Sequence, residues 1–157
     1  MTENSLQLSN WRGRFFRYAP LILWIGIILF ASGGQASMAK TSRFLGPLLE
    51  FLFPTASPET IYTYNHYIRK FAHLSVYFVL AFWAFRAFSK SSVSLFKQNW
   101  FVVSLGLVAL VASTDEFHQS FNPSRGGSVY DVLLDIFGAL LFLLIPLTYP
   151  KFKNRKT

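Results

Sequence analysis

TDEFHQSFNPSRGGSVYDVLLDIFG, residues 114–138, separates two long apolar runs and carries four of the chain's seven acidic residues: Asp115, Glu116, Asp131 and Asp135. His118, Gln119 and Arg125 lie in the same stretch. Charges at the edge of an apolar run are costly. They imply either a pairing network that holds helices together or a site that does chemistry. On a helix, Asp115 and Gln119 share a face, as do Glu116 and Gln119. Asp131 and Asp135 share a face of the next helix, and Gly138 extends that stripe where a close neighbour needs room. Asn122-Pro123-Ser124-Arg125-Gly126-Gly127 is a turn signal. The segment therefore predicts a helical hairpin with carboxylates on both arms and Arg125 near its tip. Aligned carboxylates repel, so a cation or a shared proton has to sit among them.

Outward from this stretch the chain is apolar. Its 157 residues suit one domain, and 52% are hydrophobic against 14% charged, too apolar for an ordinary soluble fold. The absence of cysteine excludes disulfides and thiolate metal sites. The net charge of +8 sits beside apolar blocks with no nucleic-acid recognition motif, so it reads as membrane flanks and not as a nucleic-acid surface. Apolar runs predict spans at about 15–32, 71–88, 100–118 and 129–149. The small residues Ala31-Ser32-Gly33 after a basic start allow a cleaved signal as the rival reading of the first run. Residues 44–53 are too few to span and predict a short interfacial helix in the first extracytoplasmic loop. Pro54 and Pro58 predict an irregular turn, and residues 89–99 a polar loop.

The expected fold is thus all-α, an integral membrane four-helix bundle in a single domain. Lys and Arg counts place Arg12, Arg14, Arg17, Arg86, Lys90, Lys97, Lys151, Lys153, Arg155 and Lys156 on one side. The other side has Lys40, Arg43, Arg69, Lys70 and Arg125. The positive-inside bias puts both termini in the cytoplasm of a bacterial inner membrane. Lys70, His73 and Tyr77, spaced by three and four, line one helical face that meets the acidic hairpin at the outer leaflet. Asp135 lies about 9 Å into its helix at 1.5 Å per residue. Facing lipid near mid-span, its charge costs on the order of 2.5–3.5 kcal/mol, so it should turn inward to Lys70, Arg125 or His73.

These residues resemble a known family. Arg69-Lys70-x-x-His73-x-x-x-Tyr77-x-x-Leu80, followed by Asp115-Glu116-x-x-Gln119-x-Phe121-x-Pro123-x-Arg125-x-x-Ser128-x-x-Asp131, looks like the VanZ-like family, named after a teicoplanin-resistance protein. The resemblance runs from about Leu21 to Leu144. It implies Lys70, His73, Tyr77, Asp115, Glu116, Gln119, Arg125 and Asp131 as motif positions and an antibiotic context, but no defined reaction. The chain departs from the family pattern at Asp135, usually Asn, and at Val76, often Glu.

Three functions are open to such a chain. The first is binding of an amphiphile at the outer leaflet: membrane lipid, a lipid-linked cell-wall precursor or a lipoglycopeptide, with glycopeptide susceptibility as the phenotype. The second is a hydrolase or transferase of a lipid head group. Here His73, Asp115, Glu116 and Asp131 supply acid or base, while Lys70, Tyr77, Gln119, Arg125 and Asp135 hold substrate. The third is a proton-linked carrier, which the lack of an inverted repeat disfavours. No paired-histidine motif is present, so neither metal nor cofactor is expected, and the number of copies per assembly is open. Against every site reading stands a plain ion-pair network joining three helices, although buried pairs are weak sources of stability.

Overall fold

The computed structural model describes residues 3–32, 38–121 and 127–148. Among these the chain is all helical: α1 (Glu3–Phe30), α2 (Met38–Leu52), α3 (Pro58–Ser89), α4 (Ser94–Gln98), α5 (Trp100–Ser120) and α6 (Val129–Thr148). Four helices are long and apolar enough to cross a membrane: Trp11–Phe30 within α1, then α3, α5 and α6. Arg125 lies outside the described residues.

The central element is α3, which touches each of the other helices. Its buried stripe is small: Ala81, Ala84 and Ala87 are fully buried beside Leu80. Small residues at this spacing let neighbouring helix backbones approach closely. Val108, Val111 and Ala112 of α5 and Ala139 and Leu143 of α6 fill the facing positions. Phe78, Phe82 and Phe85 line the adjacent face of α3 and converge on Phe142 of α6, with ring centroids 5.3–5.9 Å apart. Edge-to-face and tilted pairs of this kind add to the burial of their area.

Two local features differ from the sequence expectation. Pro58 does not open an irregular turn. It occupies the first turn of α3, where its missing N–H costs no helical hydrogen bond, and Ser57 caps the helix by accepting from the Thr60 N–H at 3.3 Å. At 32 residues, α3 is about 48 Å long, well over the roughly 30 Å of a bilayer core. Its first third therefore extends past the end of α5 and packs on α2, with Phe53 against Tyr64 at 5.2 Å. The expected polar loop over residues 89–99 contains α4, held by Phe96 against Phe88 at 5.5 Å.

The ends of the bundle are chemically distinct. At one end Tyr18 of α1 meets Ser91 at 2.8 Å and the Arg86 guanidinium donates to the Phe16 carbonyl at 3.1 Å. At the other, α1 and α5 finish, α6 begins, and the carboxylates gather.

Candidate functional site

The polar face of α3 meets one acid per turn. Lys70 Nζ lies 3.2 Å from Asp131 Oδ1, His73 Nδ1 lies 3.4 Å from Asp135 Oδ1, and the Tyr77 hydroxyl donates to Asp115 Oδ2 at 3.0 Å. The first two partners rise along α6 as their α3 counterparts rise, so these helices run parallel. Arg69 donates to Gln119 Oε1 at 3.3 Å, and Tyr77 to Asp115 lies deeper, so α5 runs antiparallel to α3. The register is fixed at Gly138, where a Cβ would strike the Leu74 carbonyl, one residue past His73. No side chain other than hydrogen allows α6 to lie this close to α3.

Burial separates the outer pair from the inner cluster. The Lys70 and Asp131 side chains are 39% and 27% exposed, so this pair sits at the rim. Asp115, Glu116, Gln119 and Asp135 are all buried, and Asp135 is fully so. Glu116 Oε2 accepts the Ser128 backbone N–H at 2.9 Å, where the chain returns toward α6. Gly127 permits that return, because a Cβ there would run into the Glu116 carbonyl. Facing oxygens of Asp115, Glu116 and Asp135 and a ring nitrogen of His73 lie within 4.8 Å of one another. Among the described residues, Asp115 Oδ1, Glu116 Oε1 and Asp135 Oδ2 have no hydrogen-bond donor.

Beside the cluster lies a cavity of about 260 Å³ between α1, α2, α3 and α5. Ile28, Ala31, Leu45, Ile68, Ala72 and Val76 give it an apolar wall, while Arg69, His73, Tyr77, Asp115, Gln119 and Ser32 face the same space. His73 and Asp115 therefore belong to both the cavity and the carboxylate cluster. The wall is held by Trp24, whose indole N–H donates to the Val76 carbonyl at 3.1 Å, and by Ser32, whose hydroxyl donates to the Asp115 carbonyl at 3.2 Å. His118 meets Ser32 at 3.3 Å and stands outside the cluster.

The sequence-predicted residues thus fall into groups. His73, Tyr77, Asp115, Glu116, Gln119 and Asp135 converge. Lys70 and Asp131 pair at the rim, and Lys70 does not reach Asp135, which faces His73 instead. Three contributors have no sequence-level site assignment. Arg69 looks like a flanking charge because it neighbours Lys70. Ser32 closes a run of small residues with no periodic signal, and Ser128 acts through its backbone.

A helical bundle of four membrane-length elements with buried acids at one end defines a multi-pass membrane protein. The chain belongs to the VanZ/LLP1 family, whose profile matches residues 16–149. Comparison with curated proteins and with solved structures returned no match.

Proposed function

We propose that this VanZ-family membrane protein binds one membrane amphiphile, with the tail against the apolar wall of the cavity and an anionic head group at Arg69. The observation that carries the reading is the cavity itself, apolar on the α1 and α2 side and polar where Arg69, His73 and Asp115 face it. Small-molecule sites run to about 300–1,000 Å³. At about 260 Å³, just under that range, the space takes a segment of one acyl chain beside the head-group end, not the body of a lipoglycopeptide. A lipid or a lipid-linked envelope precursor is therefore the occupant the volume favours. The basic residues grouped near Tyr18, Arg86 and Lys97 support a cytoplasmic placement of that end and of both termini, with the cavity at the outer face of the inner membrane.

Native mass spectrometry of the detergent-purified protein tests the reading. The unmodified chain is expected to retain an anionic lipid. Ala72→Trp, which fills the cavity, and Arg69→Ala, which removes the cation, are expected to lose it. Equal lipid retention in all three removes the proposal. Drug susceptibility with and without the gene tests the phenotype, and unchanged responses to glycopeptides and other envelope-active compounds count against a resistance role.

A second reading, a hydrolase or transferase of the head group, rests on His73 and Asp115 facing the cavity, where an acid or base meets a bound head group. Incubation with membrane lipid extract should then yield a product that His73→Ala and Asp115→Ala abolish. Identical product profiles for all three proteins dismiss this reading for the lipids tried.

A further inference from the structure

We infer that His73, Asp115, Glu116 and Asp135 form a binding site for one divalent metal ion. The proposal stands apart from the amphiphile reading and rests on the cluster's unsatisfied oxygens. Three carboxylates from two helices lie at 3%, 5% and 0% exposure, and each keeps an oxygen without a donor among the described residues. An unmet buried acceptor is costly, and more so when charged. Among the described residues the nearby cations are engaged elsewhere: Lys70 with Asp131 and Arg69 with Gln119. Among the described residues one imidazole faces three carboxylates, so the cluster they form is short of positive charge.

The arrangement is that of ligands held by a second layer. Tyr77 fixes Asp115 Oδ2 and leaves Oδ1 free, and the Ser128 N–H fixes Glu116 Oε2 and leaves Oε1 free. Outer partners of this kind orient ligating atoms in metal sites. The 3.4 Å between His73 Nδ1 and Asp135 Oδ1 equals the edge of a tetrahedron with bonds of about 2.1 Å. Two ligands on one ion at 2.0–2.2 Å lie at most about 4.4 Å apart. The 4.8 Å span of the four ligand atoms exceeds even that limit, so reaching the tetrahedral edge of about 3.4 Å takes a closure of up to about 1.4 Å on binding. Three oxygens and one imidazole nitrogen, with no thiolate, suit Mn²⁺, Fe²⁺ or Zn²⁺ and not a soft ion. Asp115 and His73 also face the cavity, so an ion here would be next to a bound head group.

The test uses the full chain in detergent, purified without a polyhistidine tag, stripped with chelator and dialysed against Mn²⁺ or Zn²⁺. Elemental analysis and, for Mn²⁺, electron paramagnetic resonance read the stoichiometry. One ion per chain is expected, with at least a tenfold loss of affinity in His73→Ala, Asp135→Asn and Glu116→Gln. His66→Ala and His118→Ala, which alter the other two histidines of the chain, should bind as the unmodified protein does. Circular dichroism verifies folding of each variant. Should Asp135→Asn unfold, Tyr77→Phe, which loosens only the second layer, should still weaken binding about tenfold. Two results overturn the inference: folded, unmodified protein that takes up none of the added ions, or uptake that persists undiminished in the folded cluster variants. Lipid retention is measured separately through Arg69→Ala, so loss of one reading leaves the other standing.

Discussion

At the scale of single residues, two polar contacts on one face of α3, two turns apart, differ in what they contribute. The Tyr77 hydroxyl is buried and donates to Asp115 Oδ2, whose companion oxygen already lacks a donor. Tyr77→Phe strips the carboxylate of its hydrogen bond while keeping the ring, so the loss is that of an unmet buried acceptor, about 1–3 kcal/mol. Lys70 and Asp131 form an ionic contact at 3.2 Å, yet both side chains are partly exposed. Exposed pairs are worth roughly 0–1 kcal/mol, because solvent screens them and the lysine loses rotamer freedom. Thermal unfolding in a single detergent should therefore show a clear drop for Tyr77→Phe and little change for Lys70→Met. The reverse order means that the rim pair, not the inner contact, holds the site end together.

At the scale of elements, the meeting of α3 and α6 sets the position of every acid on α6. Gly138 is the point of closest approach, with the Leu74 carbonyl where a side chain would begin. A backbone carbonyl cannot rotate away as a side-chain tip can, so Gly138→Ala has to push the helices apart. Overpacking of this kind costs about 1–3 kcal/mol. It should also move Asp135 away from His73, so both stability and metal uptake are expected to fall. A variant with unchanged unfolding and unchanged uptake would show that the helices separate freely here. This contact was legible in sequence as a stripe, Asp131, Asp135 and Gly138, because helical spacing fixes which residues share a face. The extent of α3 was not. Its first turns are rich in Tyr and interrupted by polar residues, which blurs a hydropathy pattern, while Ser57 and Pro58 supply a start signal that works locally. Nor was the role of Arg69, since adjacent residues point to different faces: Lys70 turns to α6 and Arg69 to α5.

At the scale of the molecule, the two ends of the bundle differ in charge and in chemistry, and function depends on which one faces the outside. The apolar runs alone predict four crossings, and four helices of the structure have the length and composition for it. Their orientation comes from the distribution of Lys and Arg, which favours short cytoplasmic loops. By that rule α4 lies inside, and both the α2–α3 connection and the end of α5 lie outside. The chain has no cysteine, so a single introduced thiol reports without background. Thr55, Ser94 and Ser120 are exposed in the structure, so replacing each leaves the core intact. A membrane-impermeant maleimide applied to intact spheroplasts should label Thr55→Cys and Ser120→Cys at once, and Ser94→Cys only after the membrane is opened. The opposite pattern would turn the carboxylates and Arg69 toward the cytosol. The occupant of the cavity would then be drawn from the inner leaflet, and a role against drugs arriving from outside would lose its physical basis.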